Sequence, residues 1–471
     1  MTYDLHTAVE TLLVLLLIVF AIAVIVQRVR LPYTIALVLA GLLDFQTGFR
    51  HITLTPDLIL VVFLPLLLFE GAYNVSAQRL RDNLLPIALL AGPGVLLGML
   101  ITGAVVHLLL GIAWGPALLF GALISSTDPI AVVSLFRELG APKRLALLVE
   151  GESLFNDGAA ITLFQIVLAT IVTGAFGLGG SVLNFIVTVL GALVIGAVIG
   201  YAGSFLLQRL DHIQVQITAT VLVAYGSYLV AERFAVSGAI AVVVAGLLVG
   251  NYGAVGGVSL GAIHALGATW EFLGFVANSL IFLLIGIELD PLLLARHIGP
   301  IAAAFVGAVV ARAIAVYALL PWLRGARRIP ARFHPAIVWG GLRGAVSLAL
   351  VLSIPLTIGS RAFPERQTLV LLTFGVVGVS LVLQGLSMRP LIQRLGLATE
   401  ARTEGNADVL RARLLAIEGA LFALSRAHDI GEVGGLQYER LRSAYQTERD
   451  ELAEQLRRVP PEARVEEAER T

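Results

Sequence analysis

The stretch from Leu147 to Ile161 reads LLVEGESLFNDGAAI and places Glu150, Glu152 and Asp157 inside an otherwise apolar span. An ionised side chain near the centre of a bilayer costs at least ~2.5 to 3.5 kcal/mol on insertion scales, so such a residue usually has a partner or a function. At about 100° per residue, a helix puts Glu152 and Asn156 on one face and turns Asp157 about a third of a turn away. We therefore expect these side chains to face different neighbours.

The composition is typical of a polytopic helical membrane protein. Of the 471 residues, 58% are hydrophobic, 14% are charged and 48 are glycines. The formal net charge is zero, so no basic surface suggests nucleic acid, and the absence of cysteine excludes disulfides and thiol chemistry. Neither a Walker-type loop nor the histidine spacing of zinc proteases is present, so the sequence does not indicate an enzyme.

Thirteen apolar stretches predict an all-α protein with about 13 transmembrane helices. They run over residues 12–26, 32–43, 58–73, 84–112, 116–135, 145–172, 182–207, 215–230, 236–249, 269–289, 298–323, 336–356 and 368–392. The first is predicted to be a retained helix, because no basic segment precedes it and no small-residue cleavage site follows it. Fourteen Lys and Arg residues follow odd-numbered stretches and five follow even-numbered ones. The positive-inside rule therefore predicts an outside N-terminus and a cytoplasmic C-terminus in the cell's inner (plasma) membrane.

The charge distribution changes near Glu400. Residues 400–471 carry 26 of the 64 charged side chains, although they are only 72 of the 471 residues. We predict a transmembrane domain over 1–399 and a cytoplasmic tail over 400–471. The tail contains two amphipathic helical patterns broken by Gly431 to Gly435, and we expect this pair to pack on itself or on a second copy.

Two apolar stretches are interrupted in their middle. The fifth contains SSTDP from Ser125 to Pro129, and the twelfth contains GGLRG from Gly340 to Gly344. Pro129 lacks an amide hydrogen and disfavours helical geometry at the residue before it, while the glycines loosen the second break. Backbone groups freed at membrane depth must face protein or a wet cavity. Two such breaks in corresponding halves of the chain predict an inverted-repeat transporter with its site near the midplane.

Asp157 and Asp128 are the leading candidates for binding a small cation. A buried carboxylate can hold a proton or a hard cation on the same oxygens, and Thr127 and Ser153 supply neutral oxygens beside them. The alternative is that these groups only stabilise helix packing through hydrogen bonds.

Arg343 is the expected counter-charge of Glu152, since a lone guanidinium cannot readily lose its proton and would be stranded in the membrane. Four other charges lie in or at the ends of apolar stretches, and we expect interfacial or helix-packing roles for them: Glu70, Glu271, Glu288 and Arg312.

Taken together, three motifs resemble the signature set of the cation:proton antiporters, in the branch of electroneutral sodium/proton exchangers. They are Thr127-Asp128-Pro129, the run EGESLFND from Glu150 to Asp157, and GLRGA from Gly341 to Ala345. The similarity extends from about Leu12 to Leu395. The resemblance implies a thirteen-helix homodimer in the lipid bilayer, in which a mobile core carries the ion by an elevator-like movement.

The resemblance also implies roles for individual residues. The ligands of the cation or proton would be Asp157, Asp128, Thr127 and Ser153. The supporting residues would be Asn156, which replaces a second aspartate of the electrogenic branch, and the structural ion pair of Glu152 with Arg343. With Asn156 neutral, one carboxylate would alternate between one proton and one monovalent cation.

We therefore expect a secondary antiporter that exchanges sodium, or lithium, for protons in an electroneutral 1:1 cycle of alternating access, without a cofactor. A potassium/proton antiporter of the same mechanism is the alternative. A cation channel and an intramembrane aspartyl protease are remote alternatives, because no carbonyl filter is present and Asp157 follows Phe-Asn instead of Gly-x-Gly.

Overall fold

The computed structural model describes residues 5–26, 28, 33–44, 55–174, 178–255, 258–323, 325, 328–398, 400–429 and 434–457. The N-terminal helices are α1 (Leu5–Val26), α2 (Tyr33–Asp44), the π-helix π1 (Leu58–Phe63), α3 (Leu64–Asn74), α4 (Ala77–Asp82), α5 (Leu84–Leu89), the π-helix π2 (Leu90–Gly94) and α6 (Val95–Leu110). The central helices are α7 (Trp114–Ser125), α8 (Ile130–Leu139), α9 (Lys143–Thr173), α10 (Leu178–Leu207), α11 (Ile213–Arg233), α12 (Gly238–Val255), α13 (Leu260–Glu288), α14 (Pro291–Arg296), α15 (Ile298–Leu319) and a 3₁₀ turn (Leu320–Trp322). The C-terminal helices are α16 (Phe333–Trp339), α17 (Ala345–Leu352), α18 (Arg366–Val379), the π-helix π3 (Ser380–Gln384), α19 (Gly385–Arg394), α20 (Glu400–Asp429) and α21 (Gly435–Arg457).

The fold is helical, as predicted, apart from one short hairpin within the described ranges. Its strands are β1 (Thr357–Ile358) and β2 (Arg361–Ala362), which pair antiparallel. Gly359 begins the two-residue turn with a φ of 60°, a conformation that suits a glycine.

Each of the thirteen predicted apolar stretches has helix at its position. In the described part of the chain, eight helices are long and apolar enough to cross a membrane, and four shorter apolar helices lie at Leu12–Val26, Tyr33–Leu43, Leu58–Asn74 and Gly238–Tyr252. The remaining stretch holds the pair α16 and α17. That all thirteen cross the membrane stays a prediction.

Helix packing inside the membrane depends on small residues, because apolar side chains gain little there by leaving lipid. Helix α10 approaches α12 closely at Gly196 and Gly200: a methyl group added at Gly196 would lie 2.4 Å from the carbonyl oxygen of Ala241. Helix α12 packs against α3, α10 and α11, and α13 packs against α2 and α3. Helices α6, α7, α15, α17 and α18 pack around the two interrupted stretches. The second group positions the candidate site.

The chain divides into two compact units. The first comprises Met1–Leu135 and Arg144–Arg389, and it contains every predicted site residue. The second comprises Phe136–Lys143 and Pro390–Thr471, in which α20 and α21 pack against each other. The predicted pair of tail helices is thereby confirmed, while the predicted domain boundary at residue 400 stays a prediction.

Candidate ion-binding site

Both predicted interruptions are present, and the two broken helices meet at their unwound segments. Between α7 and α8 the amide of Asp128 donates a hydrogen bond to the carbonyl oxygen of Leu342, which lies between α16 and α17, at 2.8 Å. A methyl group added at Gly344 would lie 2.5 Å from the Cβ of Asp128, so this approach requires glycine. The sequence breaks therefore form one crossing point.

Arg343 satisfies the backbone where α7 ends. Its Nη1 donates hydrogen bonds to the carbonyl oxygens of Ser125 and Ser126, both at 3.2 Å. Its own amide donates to the hydroxyl of Ser380 in π3 at 3.0 Å. Carbonyl groups at a helix end lack partners in the helix, and inside a membrane the protein must supply them.

Helix α9 lies against the first break through three residues spaced i, i+3 and i+4, which share one helix face. The hydroxyl of Ser126 donates to Oδ1 of Asp157 at 2.5 Å. The Nδ2 of Asn156 donates to Oγ1 of Thr127 at 2.6 Å, and the hydroxyl of Ser153 donates to the Thr127 carbonyl. The structure therefore brings together the residues that the sequence predicted as ligands.

Asp157 is deeply buried, with 8% of its surface exposed. Its carboxylate receives the Ser126 hydrogen bond but makes no ion pair with a basic side chain in the described part of the chain. A buried carboxylate without a counter-charge is costly in its ionised form. A proton or a cation would relieve this cost.

Asp128 has a structural bond as well as a position in the site. Its Oδ1 accepts a hydrogen bond from the amide of Ile130 at 3.0 Å and so caps the first turn of α8. Its Oδ2 lies beside Gly344, where an added methyl group would come within 2.7 Å. One oxygen thus fits the helix-packing alternative, and the other is compatible with ligation.

The predicted ion pair between Glu152 and Arg343 is wrong. Glu152 pairs instead with Arg312 of α15 in a two-point contact, with Nη1 3.0 Å from Oε1 and Nη2 2.7 Å from Oε2. The Nε of Arg312 also donates to the carbonyl oxygen of Ile337, at 3.0 Å. Arg343 is engaged by the carbonyl groups at the end of α7. The signal that we missed was Arg312 itself, because a guanidinium in the middle of an apolar stretch is stranded wherever it occurs.

Asn156 joins this ion pair to the candidate site. Its Nδ2 donates both to Thr127 and to Oε1 of Glu152, the latter at 2.9 Å. An ionised carboxylate only accepts hydrogen bonds, so the contact with Glu152 fixes which end of the amide is the nitrogen. The Oδ1 of Asn156 is buried without a protein partner. Glu150, the third carboxylate of the stretch, is only partly buried.

Comparison with known proteins identifies the family. The family described as "Sodium/hydrogen exchanger, transmembrane" matches residues 14–394. This chain belongs to that family. The match covers almost the same range as the predicted resemblance, and it places the chain among transporters and not among enzymes.

Several characterised relatives are similar over most of the chain. The Na(+)/H(+) antiporter NhaG of Bacillus atrophaeus is 38% identical over 86% of this chain and 78% of its own length. The Na(+)/H(+) antiporter NhaP of Pseudomonas aeruginosa is 40% identical over 75% of this chain and 84% of its own length. The solved structure of the sodium proton antiporter MjNhaP1 from Methanocaldococcus jannaschii superimposes with a TM-score of 0.69 at 20% identity, covering 84% of this chain and 99% of that one. The last similarity shows a shared fold.

Proposed function

We propose that this protein exchanges Na⁺ for H⁺ across a membrane by alternating access, with Asp157 as the carboxylate that both ions share. The observation that carries the proposal is the contrast between two buried carboxylates on α9. Glu152 is held by a two-point contact with Arg312, whereas Asp157 has a hydroxyl donor and no basic partner in the described residues. Only the second is left to a mobile positive charge, and the relatives named as Na(+)/H(+) antiporters support sodium.

Neutral oxygens complete the proposed cation site. The hydroxyl groups of Ser153 and Thr127 and the Oδ2 of Asp128 lie around the same unwound segment as Asp157. Carboxylate, hydroxyl and carbonyl oxygens are the ligands that hard cations prefer. A proton on Asp157 would remove the negative charge that attracts the cation, so the two ions exclude one another.

The fixed charges at the crossing support a 1:1 stoichiometry. The crossing region contains two guanidinium groups, those of Arg312 and Arg343, and three carboxylates, those of Glu152, Asp128 and Asp157. One negative charge remains when all five are ionised. One proton or one monovalent cation balances that charge, so a cycle in which they replace each other moves no net charge across the membrane.

The test uses purified protein in liposomes with an imposed pH gradient and a dye that reports collapse of the gradient when sodium, lithium or potassium is added. Asp157→Asn should abolish exchange without changing the elution of the folded protein, because an amide and a carboxyl group have nearly the same shape. Asp211→Asn, in an exposed loop, is the matched control. Exchange that persists in Asp157→Asn would exclude Asp157 as the carrier, and faster exchange with potassium than with sodium would favour the alternative substrate.

The same liposomes test electroneutrality. With the pH gradient held constant, a potential set by potassium and valinomycin should leave the initial rate unchanged. A several-fold change would indicate a second titrating group, with Asp128 as the candidate, and a stoichiometry above one proton per cation.

We further propose that the protein is a homodimer of the plasma membrane with its N-terminus outside and its tail in the cytoplasm. The chain has no native cysteine, so single cysteines report orientation directly. Ser443→Cys in α21 should be protected from an impermeant maleimide in intact cells. Ser360→Cys in the β1–β2 turn should be labelled. The opposite pattern would invert the topology, and mass measurement in lipid nanodiscs would test the dimer.

A further inference from the structure

A small cavity borders the two arginines of the site. Its volume is about 20 Å³, and its lining includes Gly98, Thr102, Ser125, Glu152, Arg312 and Arg343. About 10 to 15 Å³ of this kind of volume is enough to hold one water molecule. The cavity therefore has room for a water molecule.

Arg343 presents unsatisfied donors at this cavity. A guanidinium group has five N–H donors, and the Nη1 of Arg343 uses its own on the two carbonyl groups at the end of α7. Its Nε and Nη2 have no acceptor among the residues that the structure describes, although the side chain is only 6% exposed. A charged donor gains from an acceptor within reach. An acceptor inside the cavity would satisfy part of this set of donors.

Thr102 of α6 supplies a second and independent sign of a polar ligand. It is 1% exposed and lines the cavity, and no hydrogen bond joins its hydroxyl to the residues that the structure describes. Two other buried threonines, Thr162 and Thr373, donate to the carbonyl group four residues earlier in their own helices, at 2.7 Å in both cases. Thr102 lines the cavity instead. Ser125 lines it too, and its hydroxyl donates to the Gly121 carbonyl and so keeps lone pairs that can accept.

We propose that the cavity is a binding site for one ordered water molecule, which accepts hydrogen bonds from Arg343 and Thr102 and donates to Ser125. Water suits the site because it both donates and accepts, and internal waters typically make two to four such bonds. A small anion would lie against the Glu152 carboxylate, and a cation would lie against two guanidinium groups. Water is thus the ligand that all the lining groups accept.

This water would link α6 to the first broken helix. It binds the guanidinium group of Arg343, whose Nη1 donates to the carbonyl oxygen of Ser126. The hydroxyl of Ser126 in turn donates to Asp157. The water is therefore a structural part of the ion site that does not touch the transported ion. The inference rests on the geometry of Arg343 and Thr102 and does not require that Asp157 be the carrier.

The sign of one stability change tests the proposal. If water satisfies the Thr102 hydroxyl, Thr102→Val removes a hydrogen bond at constant side-chain shape and should lower the melting temperature in detergent. If no water is bound, the same change removes an unpaired buried hydroxyl, and the melting temperature should stay the same or rise. Thr162→Val is the matched control, because it removes a hydroxyl whose partner is known.

We expect Thr102→Val to lower the melting temperature about as much as Thr162→Val, with Thr102→Ser close to wild type because the hydroxyl is kept. A map that resolves other internal waters should show density between Arg343 and Thr102. An unchanged or higher melting temperature in Thr102→Val, an equal loss in Thr102→Ser, or a cavity without density in such a map would each overturn the proposal.

Discussion

The pair of Glu152 and Arg312 provides the sharpest test of how the site is held together. Glu152→Gln leaves the Arg312 guanidinium buried beside a neutral amide, and Arg312→Met leaves the Glu152 carboxylate with only the Asn156 amide as a donor. Their side chains are 2% and 10% exposed, so solvent cannot replace the lost partner. Removing one member of a buried pair costs ~3 to 5 kcal/mol, mostly because the other charge stays behind.

The double variant should be much less damaged than the sum of the single variants. Once the first charge has gone, removing the second relieves an unpaired charge, and replacing a whole buried pair by neutral residues is often close to harmless. We therefore expect a coupling free energy of ~3 kcal/mol or more between these positions. This exceeds the ~0.5 kcal/mol scatter of additivity at independent sites.

The assay is the melting temperature of each variant in detergent at one fixed heating rate, and the coupling is read as the difference between the shift of the double variant and the sum of the two single shifts. The matched comparison pairs Glu152→Gln with Arg343→Met, since Arg343 hydrogen-bonds to carbonyl groups and not to Glu152. Strict additivity for Glu152 with Arg312, or a stronger coupling for Glu152 with Arg343, would refute the assignment of the pair.

Two further predictions concern the crossing of the broken helices. Gly344→Ala would place its methyl group 2.5 Å from the Cβ of Asp128 and should abolish folded protein or exchange. In the control Gly226→Ala, the added methyl group meets nothing within 4 Å, so yield and exchange rate should match those of the wild type. Ser126→Ala removes the hydrogen-bond donor to Asp157, so protons should compete better with sodium for that carboxylate. A hydrogen bond to a charged group contributes ~1.5 kcal/mol, and the apparent KM for sodium at neutral pH should therefore rise roughly tenfold. Ser126→Thr keeps the hydroxyl and should stay near wild type; an unchanged KM in Ser126→Ala would contradict the role given to that bond.

The site's residues could be predicted because each breaks a rule of the membrane interior. Pro129 and the glycines from Gly340 to Gly344 cannot sustain a helix, and hydropathy shows that both breaks lie within apolar stretches. Asp157 in α9 is conspicuous for the same reason, because its charge is costly there. Helical spacing placed Glu152 and Asn156 on one face, and in the structure these two side chains are hydrogen-bonded to each other.

The partner of Glu152 could not be predicted in the same way. Hydropathy identifies which stretch carries an arginine, but the rotation and depth of that stretch depend on packing against the other helices. Arg312 and Arg343 were therefore equally able to reach Glu152 as far as composition showed. The prediction of the ion pair did not consider the backbone carbonyl groups that the helix break frees. These groups are good acceptors for a nearby guanidinium group. An arginine one residue from a glycine that unwinds a helix is the natural donor to such groups.

The different partners of Arg312 and Arg343 bear on the proposed ion exchange at Asp157. If Arg343 had paired with Glu152 as predicted, Arg312 on α15 would have been left without its carboxylate partner. Because Arg312 is held by Glu152 and by the Ile337 carbonyl, and Arg343 by the end of α7, both guanidinium groups have structural partners. Of the two buried carboxylates on α9, Asp157 is then the one without a basic partner in the described residues. Under the proposed mechanism, the counter-charge of Asp157 arrives and leaves with each transport cycle, so one aspartate serves both ions.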